Sequence, residues 1–166
     1  MTKNLILIGM PASGKSTLGV MTAKALGWDF IDTDVYIQTQ EQQKLHEIIE
    51  TQGTETFRQL ESHHVRQLNV HHCVIATGGS VVFGAEAMEH LTQLGHTIWL
   101  KVDLNELNHR IGDIVERGVI HQPGQTLTDI LNEREIFYHQ YAQTTIDCTN
   151  RTPEQLVRDL IRAVSS

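Results

Sequence analysis

Apolar positions along this chain fall into short continuous runs separated by stretches of helical period. Leu5-Ile6-Leu7-Ile8 and Val74-Ile75-Ala76 have strand length and no polar alternation, the pattern of strands buried on both faces of a parallel sheet. Strands are predicted over Lys3–Ile8, Asp29–Ile31, Cys73–Thr77, His96–Lys101 and Thr144–Asp147. Between them the period is helical. One helix runs from Thr17 to Leu26 with Gly27 as its C-cap, and a longer helical stretch from Val35 to Asn69 breaks at Gly53. Further helices span Ala85–Leu94, the segment after Leu104, and Thr128–Tyr141. The last opens on Thr152-Pro153-Glu154-Gln155, a capping box with proline at the first helical position. About residues 112–125 the period is lost while Arg117, Gly118, Pro123 and Gly124 gather, which predicts a loop that closes over a ligand. The alternation of strand and helix predicts an α/β fold with a five-stranded parallel sheet and helices on both faces.

Composition narrows the classes. The length of 166 residues suits a single domain spanning 1–166. A formal net charge of −7 argues against a nucleic-acid surface, so basic residues are read one by one as ligands for small anions. No apolar run reaches membrane-spanning length, and the first strand begins at once without a signal peptide, so the expectation is a cytoplasmic protein. Cys73 and Cys148 lack metal-site or C-x-x-C spacing and are read as reduced and structural. The ten histidines, His63-His64 and His71-His72 included, show no ligand spacing and are read as solvated helix faces.

Chemistry begins where the first strand ends. Gly9-Met10-Pro11-Ala12-Ser13-Gly14-Lys15-Ser16-Thr17 has the spacing G-x-x-x-x-G-K-[ST] between a strand and a helix. Its glycines let the backbone N–H groups of Pro11 to Thr17, proline itself excepted, converge on phosphate oxygens. The helix N-terminus favours anions, Lys15 reaches the outer phosphates, and the Ser16 hydroxyl suits Mg2+. The predicted ligand is therefore a nucleoside triphosphate with Mg2+.

The ends of the second and third strands separate a kinase from other users of such a loop. The third strand runs into Gly78-Gly79 with no carboxylate, unlike the pattern of motor ATPases and GTPases, and there is no N-K-x-D sequence for guanine. Carboxylates follow the second strand instead, in Asp32-Thr33-Asp34, where an open α/β sheet places its ligand crevice. Two carboxylates there allow a division of labour, in which Asp32 could hold Mg2+ and Asp34 face an acceptor hydroxyl. An ordinary helix N-cap is the alternative reading of the pair.

The ordered set of GMPASGKST, Asp32-x-Asp34, Phe57-Arg58-x-x-Glu61, Thr77-Gly78-Gly79, Arg110, Arg117 and Glu133-Arg134-x-x-x-Tyr138 resembles the shikimate kinase family along nearly the whole chain. The resemblance implies a three-layer P-loop kinase fold and transfer of the γ-phosphate of ATP to the 3-hydroxyl of shikimate. It implies that Asp34 contacts that hydroxyl as base, that Arg58 and Arg134 hold the substrate carboxylate, and that the Gly79 N–H donates to the substrate. Glu61 would orient Arg58, Asp32 and Ser16 would associate with Mg2+, and Arg110 and Arg117 would meet the nucleotide. Asn150, Arg151 and Pro153 fall where the family wraps adenine. The implied partners are ATP and shikimate, with a monomeric enzyme.

The chain departs from the family pattern at three places. Ser80 replaces a third glycine and is expected to re-aim that backbone position. Gly118 replaces proline after Arg117 and should loosen the loop. Ile136 removes a proline that would shape the helix after Arg134. These departures motivate a second reading, a kinase of the same fold acting on another small hydroxy acid or polyol such as gluconate. A third class is a non-catalytic ATP-binding regulator, disfavoured by the presence of Lys15, Ser16, Asp32 and Asp34 together.

Overall fold

A computed structural model of the protein describes residues 4–112 and 119–165. The apolar runs form β1 (Asn4–Ile8), β2 (Asp29–Asp32), β3 (Cys73–Ala76), β4 (His96–Lys101) and β5 (Thr144–Asp147), paired in parallel in the order β2-β3-β1-β4-β5. β1 and β3 lie inside the sheet and are buried throughout, which is why neither shows polar alternation. The helices are α1 (Lys15–Leu26), α2 (Thr33–Glu41), α3 (Leu45–Gln52), α4 (Thr54–Arg66), α5 (Ala85–Leu94), α6 (Leu104–Ile111), α7 (Leu127–Tyr141) and α8 (Pro153–Ser165). α1 and α8 pack on each other over one face, while α5, with α4 beside it, covers β1 and β4.

Register decides what the sheet delivers. Asp32 pairs with Ala76, and Ala76 with Leu7, so the segments leaving β2, β3 and β1 emerge side by side at one edge. Phosphate loop, aspartate pair and glycine turn are thereby neighbours in space although they lie far apart in sequence.

Several boundaries differ from the sequence expectation for local reasons. α1 starts at Lys15 rather than Thr17, because Gly14 at φ +97 serves as its N-cap and its carbonyl accepts the Leu18 N–H at 2.8 Å. The stretch Val35 to Asn69 contains three helices, with the expected break at Gly53 (φ +87) and a second where Gln42 adopts φ +51 and ends α2. Asp32-Thr33-Asp34 is not extended: β2 stops at Asp32 and α2 begins at Thr33. α7 runs unbroken through Ile136, whose side chain is 69% exposed, so the missing proline leaves a regular helix there. The α8 capping box forms as expected, with Thr152 N–H donating to Gln155 Oε1 and Gln155 N–H to Thr152 Oγ1.

Asn4 fastens the other edge of the sheet. Its side chain is fully buried; Nδ2 donates to the carbonyls of Val70 and Leu94, both at 2.8 Å, and Oδ1 accepts the Cys73 N–H at 3.0 Å. Three backbone groups at the entrances to β3 and β4 therefore depend on one amide. Asn4→Ala should lower the unfolding free energy in urea by about 2–4 kcal/mol, since it strands buried donors and acceptors. A loss under about 0.5 kcal/mol would show that water satisfies those groups equally well.

Candidate active site

The loop between β1 and α1 is built from backbone conformations that turn its N–H groups inward. Gly9 has φ +149 and Gly14 φ +97, and Ala12 takes φ +64, in the left-handed region that a residue with a Cβ seldom enters. A Cβ on Gly9 would lie 2.7 Å from the Leu100 carbonyl oxygen, so that position requires glycine. Lys15 is buried, and its Nζ donates to the carbonyls of Gly9 and Met10 at 2.8 Å each. Burial pulls its ammonium down to about 8, with the charge of Asp34 working the other way.

Asp32 does two things at once. One oxygen, Oδ1, accepts the N–H groups of Asp34 (3.0 Å) and Val35 (3.3 Å) and caps α2. The other, Oδ2, accepts the Ser16 hydroxyl at 2.5 Å. A hydroxyl and a carboxylate oxygen held together beside a phosphate loop are hard donors of the kind Mg2+ takes, so the residues fit that ion. Thr33 between the aspartates is buried, and its Oγ1 accepts the Gly78 N–H at 3.0 Å, joining α2 to the turn after β3. Asp34 sits in the first turn of α2. Burial, reinforced by the charge of Asp32 and opposed by Lys15, pushes its carboxyl up to about 6.

Gly78 and Gly79 allow the remaining groups to meet. A Cβ on Gly78 would stand 2.7 Å from Asp34 Oδ1 and 2.8 Å from Glu61 Oε2; one on Gly79 would stand 2.9 Å from Arg134 Nη1 and from the Pro11 ring. A side chain at either place would have to displace these site groups. The Tyr138 hydroxyl donates to the Gly79 carbonyl at 3.3 Å, while its ring stacks on Trp99 at 5.5 Å. Arg134 is 2% exposed and donates from Nη2 to the Ile120 carbonyl at 2.6 Å. Glu61 is 3% exposed, and burial together with Asp34 pushes its carboxyl up to about 8, against the pull of Ser80, Arg134 and Arg58.

These elements enclose a cleft of about 920 Å³. Of the expected site residues, Pro11, Ala12, Gly14, Lys15, Ser16, Thr17, Asp32, Asp34, Gly79 and Arg134 line it. Leu45, Ile49 and Phe57 supply an apolar wall opposite the loop. Ser13 is buried beneath the loop, with its N–H on the Met10 carbonyl. Arg58 lies in an adjoining pocket of about 220 Å³ that shares Glu61 and Ser80 with the main cleft. Its guanidinium is 4.7 Å from the Phe83 ring centroid, and that of Arg134 is 5.6 Å from the same ring. Arg110 donates to the Ala12 carbonyl at 3.2 Å and pairs with Glu106, bracing the loop from outside. Arg151 is tied to Asp159 at 2.6 Å and to the Asp147 carbonyl, away from the cleft lining. Arg117 and Gly118 lie outside the described residues; of the expected closing loop, Val119, Ile120 and His121 line the cleft without regular secondary structure.

Two contributions were not read from the sequence. Phe83 sits in the apolar run Val81-Val82-Phe83, where nothing marks the aromatic against which both guanidiniums lie. Ser80 was expected to re-aim the backbone, yet its φ of −99° is ordinary for any residue, and its hydroxyl instead donates to Glu61 Oε1 at 3.1 Å.

Comparison with known proteins bears on this geometry directly. The family model described as shikimate kinase matches residues 11–165. The shikimate kinase of Rippkaea orientalis is 34% identical over 164 residues, covering 97% of this chain and 87% of that protein. That of Caldanaerobacter subterraneus subsp. tengcongensis is also 34% identical over 164 residues, covering 97% and 95%. The solved shikimate kinase from Acinetobacter baumannii in complex with shikimate superposes with a TM-score of 0.89 at 27% identity, covering 98% of this chain and 93% of that one. With a phosphate loop and a carboxylate-and-guanidinium pocket sharing one cleft, and with matches of this extent, the chain belongs to the shikimate kinase family.

Proposed function

We propose that the protein is an ATP-dependent shikimate kinase that transfers the γ-phosphate of ATP to the 3-hydroxyl of shikimate, giving shikimate 3-phosphate for aromatic amino acid biosynthesis. The observation that carries this reading is the convergence of the phosphate loop, Asp34 and the buried Arg134 on the glycine pair Gly78-Gly79 in one cleft. Phosphoryl transfer asks for in-line placement and charge neutralisation more than covalent chemistry by the protein, and the cleft offers both.

The loop N–H groups and Lys15 bind the nucleotide's phosphates. Ser16 Oγ and Asp32 Oδ2 are the oxygens that would hold Mg2+, which when bound supplies charge neutralisation on the outer phosphates. Arg134 and, from the neighbouring pocket, Arg58 hold the acceptor carboxylate, for which a planar guanidinium is the matched partner. The Gly79 N–H donates to the acceptor, and Asp34 aligns its hydroxyl and takes the proton as oxygen attacks phosphorus and ADP leaves. Arg110 supports the loop through the Ala12 carbonyl. Arg117 and Arg151 are assigned to the nucleotide by their place in the sequence pattern. The same reading makes this a monomeric cytoplasmic enzyme; no helix among the described residues is long and apolar enough to cross a membrane.

A coupled ADP-release assay with an acceptor panel tests the reading. Shikimate should raise the rate far above that of ATP alone, whereas preference for gluconate or a polyol lacking a carboxylate would reject the acceptor assignment. Asp34→Asn should lower kcat by about 10²–10⁴-fold while ATP affinity stays within a few-fold; normal turnover would remove Asp34 from the chemistry. The pH dependence has a defined sign. Asp34 must be ionised to take a proton, so kcat/KM rises through about pH 6, and Lys15 must be protonated, so it falls above about pH 8. Asp34→Asn should lack the acid limb, and an unchanged acid limb would assign it to another group.

A further inference from the structure

Ser80 stands at the third position of the turn after Thr77, 5% exposed, and donates its hydroxyl hydrogen to Glu61 Oε1 at 3.1 Å. That bond engages one oxygen of a carboxyl group that α4 carries into the cleft wall. The other oxygen, Oε2, is buried and has no hydrogen-bond partner among the described residues. It lies 2.8 Å from the point above Gly78 that is itself 2.7 Å from Asp34 Oδ1. A buried carboxyl oxygen left open beside the acceptor-side aspartate lacks a partner that a ligand hydroxyl can supply.

A glutamate side chain has three rotatable bonds, and a buried one that is unanchored loses its aim. Around Glu61 stand Asp34 from α2, Arg58 from its own helix, Arg134 from α7 and Ser80 from the turn. The two guanidiniums attract the carboxylate and Asp34 repels it, but none of these charges gives it the hydrogen bond that fixes its plane. Ser80 does. A glycine at position 80 offers no hydroxyl, and the backbone there does not require one, since φ is −99°.

We propose that Ser80 is a positioning residue for the acceptor site: its hydroxyl pins Glu61 Oε1 so that Oε2 is presented to an acceptor hydroxyl beside Asp34. The proposal rests on reading the cleft as a small hydroxy-acid kinase, and its tests separate the two claims. Ser80→Ala should raise KM for shikimate about tenfold while KM for ATP stays within about twofold, the size expected for the loss of one buried hydrogen bond. Ser80→Thr, which keeps the hydroxyl and has the neighbouring 220 Å³ pocket for its methyl group, should restore the wild-type value.

An activity-independent arm reads the same contact. The Glu61 carboxyl C=O stretch, isolated as the infrared difference between wild type and Glu61→Gln, titrates in the free protein. Losing a hydrogen bond that favours the carboxylate should move its midpoint upward by about one pH unit in Ser80→Ala, and not in Ser80→Thr. If Ser80→Ala does not fold, Ser80→Gly carries the same expectations. An unmoved or lowered midpoint, or an equal change in both KM values, overturns the role of Ser80. Failure of wild type to phosphorylate shikimate would overturn the functional reading, while the titration would still decide whether Ser80 governs Glu61.

Discussion

The site depends on a close approach of backbones at Gly78 and Gly79. With a hydrogen at each Cα, the turn after β3 lets two carboxylates, a guanidinium and the Pro11 ring come within about the reach of one missing methyl group. Parallel register brings β1, β2 and β3 to that place, but register alone would leave their loops a side chain apart. The Thr33 hydroxyl and the Tyr138 hydroxyl then hold the two glycines from either side, one through an N–H and the other through a carbonyl. The cleft wall at this point is therefore main chain, and it is held by the buried side chains of Thr33 and Tyr138, which do not themselves line the cleft.

That arrangement concentrates charge where water is scarce. Lys15, Glu61 and Arg134 are buried together near Asp34, and burial moves the titration of Lys15 down and of both carboxyls up. Such a cluster is poor evidence of stability, because desolvation opposes every charge in it. Its value is electrostatic preorganisation, since groups already desolvated and oriented need little rearrangement when charge develops on a transferring phosphoryl group. The hydrogen bonds of Lys15 to loop carbonyls and of Ser16 to Asp32 hold these residues close to where phosphates and a hard cation would lie.

Much of this was legible in the sequence because it depends on local rules. Continuous apolar runs located β1 and β3, shorter segments in the alternation of strand and helix located the other three strands, Gly27 and Gly53 marked real helix boundaries, and the capping box at Thr152 formed as written. What escaped depends on tertiary contacts. The break at Gln42 has no glycine or proline to announce it. Asp32 and Asp34 were assigned different roles from their place after the second strand, and what separates them physically is that Asp32 caps the helix in which Asp34 lies. Arg58, Arg110 and Arg151 are equivalent letters in a pattern, but one lies on Phe83, one braces the loop and one is taken by Asp159. The sequence marked Ser80 as a departure but not its partner Glu61, nineteen positions earlier, because only packing of α4 on the turn after β3 makes them neighbours.

The account's central claim is that one cleft places the terminal phosphate of ATP against the hydroxyl of a small carboxylate-bearing alcohol. Product identity tests it most directly: ³¹P and ¹³C nuclear magnetic resonance of a reaction containing ATP, Mg2+ and shikimate. The account predicts one phosphate ester on the 3-hydroxyl, formed in step with ADP. Inorganic phosphate appearing with ADP in place of the ester, or an ester on a different hydroxyl, would contradict it.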